Sequence, residues 1–189
     1  MSARKMAGVQ GMVLRFCLVA GQVAAQSAPG EKPAKVDENL VRVVHHQILM
    51  LPYYSVFDNV VFTIDGSKVT LSGQVVRLTL KQHAEAAVKS IEGVLVVVNT
   101  IEVLPKSPPD DEMRREVYRA IFEDEVLKQY AVQAVPSIHI IVKKGAVALE
   151  GTVNDAADKE LAAKKAGTVP GVQNVANHLV VHETESAAK

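Results

Sequence analysis

Apolar residues recur along this chain with two alternating periods, and the same order of periods is written twice. From Leu40 the pattern steps by four and three through Val44, Ile48 and Leu51, which lays one apolar stripe along a helix. Met113, Val117 and Ile121 repeat that stripe. Each stripe is followed by a β-branched run, Val60 to Ile64 and Ser137 to Val142, and then by a short turn, "DGSK" or "KKGA". The chain returns as "VTLSGQV" (Val69 to Val75) and "VALEGTV" (Val147 to Val153), where alternation puts Val69 and Leu71, or Val147 and Leu149, on one face. A second helical stripe follows, Ala84, Val88 and Ile91 in one half and Ala162, Ala166 and Val169 in the other. A last strand is predicted from Val94 to Val103 and from Val172 to Val181. The pattern predicts an α+β fold of two tandem helix-strand-strand-helix-strand (αββαβ) sandwiches.

The halves align without a gap at an offset of 78 residues, from Phe62 to Val103 against Ile140 to Val181. Gly73 falls on Gly151, Gly93 on Gly171, and Asn99 on Asn177. Gly73 and Gly151 sit in the core-facing phase of their strands, which suggests a bulge or the close approach of a helix. Gly93 and Gly171 suit the position just past a helix end. Asp37 and Asp110 or Asp111 are candidate caps of the first helix in each half, and "TLKQ" (Thr79 to Gln82) is a candidate capping box.

Proline and charge divide the chain. Arg4 and Lys5, an apolar run, and small residues at Val23 to Ala25 read as an export signal over residues 1–25. Residues 26–35 read as a polar linker, 36–104 as the first unit, 105–109 as a Pro-rich linker, 110–183 as the second unit, and 184–189 as a tail. Lys plus Arg balances Asp plus Glu at 21 each, so no bulk positive field favours nucleic acid. Aromatics are 4% of the residues and Trp is absent, which argues against base-stacking platforms. The single cysteine, Cys17, forms no intramolecular disulfide, and "LRFC" does not suit a lipid anchor.

The hairpin, "VTLSGQV", a helix, "GV" and "VNTIEV", repeated as "VALEGTV … GV … VANHLVV", resembles the BON domain of bacterial osmotic-stress and nodulation proteins. The resemblance spans Val36 to Leu104 and Asp110 to Glu183. It implies a non-catalytic, exported, periplasmic envelope module that binds phospholipid surfaces under osmotic or envelope stress. The alternative it implies is a holdase-like chaperone or protein-interaction module acting on exported client proteins. It implies no cofactor and no small-molecule substrate.

Candidate chemistry is sparse. The six histidines show no metal spacing and read as solvated surface groups. The acidic runs Asp110 to Glu112 and Glu123 to Glu125 lack a nucleophile or base that would complete a catalytic set, and no phosphate-binding glycine loop occurs. Two surfaces could contact a partner. In "MRREVYRAIF", Arg114, Arg115 and Arg119 accompany Tyr118 and Phe122 on the flank of a helix, a combination suited to anionic lipid, although a wide core stripe with solvated charges would look the same. In "LPYYSVF", Tyr53, Tyr54 and Phe57 cluster at a helix-strand corner, either plugging a core or meeting lipid, client or the other unit.

Overall fold

The computed structural model describes residues 38–182. The expected export signal, the linker that follows it, Asp37 and the tail lie outside these residues. The first unit runs α1 (Glu38–Leu49), β1 (Asn59–Asp65), β2 (Lys68–Val75), α2 (Leu78–Lys89), β3 (Val96–Asn99) and β4 (Glu102–Val103). The second repeats it as α3 (Pro108–Phe122), β5 (Ile138–Lys143), β6 (Ala146–Val153), α4 (Ala156–Gly167), β7 (Asn174–Asn177) and β8 (Val180–Val181). A 3₁₀ turn, Leu127–Ala131, precedes β5. In each unit the hairpin is antiparallel and the last two strands lie parallel to its second strand, so that strand is central.

Both helices of a unit cover one face of its sheet. The stripes read from the sequence are the buried ones: Leu40, Val44, Ile48, Ala84, Val88 and Ile91 close over Val69, Leu71 and Val75. Val117, Ile121, Ala162, Ala166 and Val169 close over Val147, Leu149 and Val153. Alanines on α4 let it lie low on the sheet, so little side-chain volume separates the layers.

The predicted last strand is broken in both units, and a repeated asparagine breaks it. The Asn99 side chain donates to the Lys81 carbonyl at 3.0 Å and accepts the Ile101 N–H at 3.2 Å. Asn177 does the same with Lys159 (2.8 Å) and Leu179 (3.3 Å). A local side-chain bond of this kind diverts the backbone from its ladder. The kink turns Ile101 and Leu179 into their cores.

The glycines do a different job from the one expected. Gly73 and Gly151 have φ of +106° and +108°, and a Cβ there would stand 2.1 Å from the Asn59 oxygen or 2.0 Å from the Ser137 oxygen. The obstacle is therefore the carbonyl of the neighbouring strand, not a helix, and the pairing runs through Gly73 and reaches Gly151 without an extra residue. Gly93 and Gly171 lie beyond the helix caps Ser90 and Thr168. They occupy the third place of four-residue turns closed by Val94 N–H to Ile91 O and Val172 N–H to Val169 O, where positive φ is required.

Helix starts also differ from expectation. α2 begins at Leu78 after Arg77 with no side-chain cap, so Thr79 lies inside the helix and forms no capping box. α3 is capped by Ser107, whose hydroxyl accepts the Asp110 N–H, and Pro108 and Pro109 open the helix itself. Proline suits the first turn because its missing N–H has no intrahelical partner there.

Candidate binding surface

The connection between α1 and β1 reaches out of its own unit. The Asp58 carboxylate shapes it, accepting the Ser55 N–H (3.1 Å), the Ser55 hydroxyl (2.7 Å) and the Val76 N–H (2.8 Å). The corner so formed laps over β5. The Val56 carbonyl accepts the Ile140 N–H at 2.7 Å, and the Val56 side chain is buried in the core of the second unit. Outside that edge, the Tyr54 ring lies 5.7 Å from the His139 imidazole. Burial pushes the Tyr54 hydroxyl up to about 12, with the nearby Asp58 charge adding to it against a bond from the Val60 N–H.

The three corner aromatics thus serve three places. Tyr54 belongs to the seam between units. Tyr53 is exposed, with φ +67°, and the Arg77 guanidinium lies 5.1 Å over its ring. Phe57 is half-buried and meets Tyr118 of α3 edge-on at 6.2 Å.

α3 is fastened by residues expected on its outer flank. Arg114 is buried: its guanidinium donates to the Val142 carbonyl at 2.7 Å and pairs with Asp111. Asp110 accepts the Lys144 and Gly145 N–H groups at 2.9 and 3.1 Å. Burial would raise its carboxyl, but those donors, the Ser107 hydroxyl and Arg114 outweigh that and hold it below the usual carboxylate range. Phe122 is a core residue, 4.9 Å from the Tyr118 ring. The expectation that Arg114 and Phe122 stand outward is corrected, because the core stripe of α3 is wide enough to include both.

Arg115, Tyr118 and Arg119 do face outward, and with Phe57 they line a depression of about 320 Å³. Arg115 pairs with Glu112 and Arg119 with Glu116, all four well exposed. Exposed pairs are worth ~0–1 kcal/mol, so either arginine can exchange its partner for another anion. The two surfaces read separately from sequence are partly one, joined through Phe57 and Tyr118. No periodicity could have shown this, because 61 residues separate the two rings.

His139 is the functional-looking group that sequence reading missed. It is half-buried rather than solvated, and its Nδ1 is enclosed without a hydrogen-bond partner. Burial pushes its pKa down, opposed by the Asp58 and Ser55 carbonyls and the Asp58 and Glu150 charges. The fold therefore favours the neutral ring. The unfolded chain, with an ordinary histidine near ~6.5, binds more protons in that range, so this contribution is present above ~6.5 and is lost as pH falls below it. Replacing His139 by Gln should flatten the decline of unfolding free energy between about pH 7 and pH 5, by at most ~1.4 kcal/mol per pH unit for one group, as read by denaturant unfolding at each pH. A Gln variant with the parental pH slope would remove His139 from this role. Among the described residues no three His, Cys, Asp or Glu side chains converge as a metal site, and no described helix is long and apolar enough to cross a membrane.

The profile of the BON domain matches residues 37–105 and 109–183. No curated protein sequence matches the chain significantly. Among solved structures, the C-terminal domain of CdsD, a structural protein of the type III secretion system of Chlamydia trachomatis, is similar at 13% identity and a TM-score of 0.31, covering 79% of this chain and 99% of that one. A second CdsD structure gives 13% and 0.30, covering 77% and 94%. Nothing about function follows from likeness at that level.

Proposed function

Because the chain belongs to the BON domain family and carries two copies of the domain, we propose that it is a non-catalytic module of the cell envelope whose second unit rests weakly on anionic phospholipid. Export to the periplasm through residues 1–25 is part of this reading. The observation that supports it is the outer flank of α3, where the Phe57 and Tyr118 rings lie between two arginines held only by exposed ion pairs. Rings of this kind settle at the headgroup level, while arginines exchange Glu112 and Glu116 for lipid phosphates. Two arginines against two glutamates leave the flank with no net charge, so binding is weak and salt-sensitive.

Flotation with phosphatidylglycerol vesicles at low and moderate salt tests this. Each basic residue contributes about 1 kcal/mol near an anionic surface, so an Arg115→Gln/Arg119→Gln variant should bind roughly 30-fold more weakly. Tyr118→Ser should weaken binding at both salt levels. Absence of any salt-sensitive association would end the proposal. The holdase alternative has less support, because in the cleft that Tyr53, Tyr54 and Phe57 line together only Tyr53 is fully exposed and the other two are half-buried.

A further inference from the structure

The two units begin their second helices with opposite charges. At the 78-residue offset Arg77 stands where Asp155 does. Asp155 caps α4 by accepting the Asp158 N–H at 2.8 Å. Arg77 occupies the cap position of α2, makes no side-chain cap bond, and no acidic residue follows it in the first turn. A cation at the positive end of a helix is unfavourable, and an arginine has no acceptor for the N–H groups there. Asp58 lies close by, but its oxygens are taken by Ser55 and by the Val76 N–H. The start of α2 thus carries a cation where the repeat carries an anion of its own.

The Arg77 guanidinium lies instead over the Tyr53 ring. Tyr53 has a positive φ, which strains a bulky residue, and at 70% exposure no burial offsets the strain. These two residues share a cleft of about 480 Å³ with Arg114 and Arg115 of α3. Arg114 is 3% exposed. Asp111 and the Val142 carbonyl engage its Nη atoms, but its Nε is enclosed without a partner among the described residues. Arg115 is held by its exposed pair with Glu112. Two carboxylates line the cleft, Asp58 and Asp111. Both are already engaged, Asp58 by the bonds just named and Asp111 by Arg114, and the three guanidinium groups outnumber them by one.

We infer that this cleft binds a phosphate ester, its oxygens shared between Arg77 of the first unit and Arg115 of the second, with Arg114 beneath and the alcohol part against the Tyr53 and Phe57 rings. A carboxylate has two oxygens and matches one guanidinium fork, whereas a phosphate ester presents enough acceptors to join two. The headgroup of an anionic phospholipid and a soluble glycerol phosphate carry the same group. A site of this kind deepens the lipid reading and rests on it only for the membrane as the source of the phosphate. It would add recognition of one headgroup to the weak attraction of the α3 flank, and the two surfaces meet at Phe57 and Arg115.

Titration of the whole protein with glycerol phosphate, read by NMR or calorimetry, is set beside flotation with phosphatidylglycerol vesicles. The parent should bind glycerol phosphate with Kd of about 1 mM, and acetate at equal ionic strength should not displace it. Arg77→Asn removes the cation and supplies a residue that caps well, so Tm should hold or rise while binding weakens roughly tenfold or more. Arg42→Gln removes the same charge from an exposed place on α1 outside the cleft and should bind as the parent does. Binding of glycerol phosphate that depends on Arg77, without vesicle binding, would uphold the site and end the lipid reading. Vesicle binding alone, lost in Arg77→Asn and kept in Arg42→Gln, would uphold the site with the membrane as its phosphate source. Vesicle binding that is the same in Arg77→Asn and the parent, with no Arg77-dependent uptake of glycerol phosphate, would overturn the site and leave the lipid reading standing. A parent that binds neither probe would overturn both, and displacement by acetate would overturn the phosphate assignment.

Discussion

Gly151→Val should unfold the second unit at a temperature where the parent is intact. The added Cβ would lie 2.0 Å from the Ser137 oxygen, and φ at this site is +108°. That carbonyl cannot step aside, because it also accepts the Thr152 N–H at 3.0 Å. Backbone strain at such a φ and overpacking each cost about 1–3 kcal/mol, so the sum of roughly 2–6 kcal/mol approaches the whole stability of a small unit. Gly151→Ala should share most of this loss, since the Cβ alone makes the clash. Gly167→Ala is the control: its φ is ordinary and its nearest new neighbour is Val175 Cγ2 at 3.9 Å, so it should be neutral or slightly stabilising. Thermal unfolding followed by circular dichroism reads all three. A Gly151→Val variant that melts with the parent would mean the hairpin carbonyl is not where this fold puts it.

Val56→Asp should destabilise the second unit although it lies in the first. Val56 is buried among Val117, Ile121, Leu127 and Ile138, and its own unit's core does not include it. An uncompensated charge there costs about 3–5 kcal/mol, whereas Val56→Ala, which only leaves a small gap, should cost about 1–3 kcal/mol. Hydrogen exchange locates the effect. The amides of β5 and the C-terminal half of α3 should lose protection in the aspartate variant, while those of α2 and β2 keep it. Loss confined to the first unit would show that the units fold apart and merely touch.

Much of the architecture was legible because periodicity reports burial directly. The four helical stripes and the alternation of the hairpin strands mark side chains that had to leave water, and the 78-residue repeat showed that the same solution was used twice. The special backbone positions of the paired glycines were legible too, because the same residue recurs at the same place in both halves, but the atom that Gly73 and Gly151 avoid was not. Arg114 and Phe122 look from sequence like neighbours of Tyr118 on an open flank. They are buried because α3 is covered on two sides, by its own sheet and by a corner from the other half. His139 and Tyr54 are 85 residues apart and carry no pattern linking them.

The sequence by itself determined the elements, their order, their buried faces and their duplication, since each follows from contacts within about 20 residues or from a repeated spacing. Tertiary structure alone decided that Val56 completes a core not its own, that Phe57 and Tyr118 share one surface, and that among the described residues β5 is covered while Val61 of β1 stays exposed. The physical reason is that docking between units depends on the meeting of two separately built surfaces. One-dimensional spacing records which side chains turn inward, and holds no term for what stands opposite those that turn out.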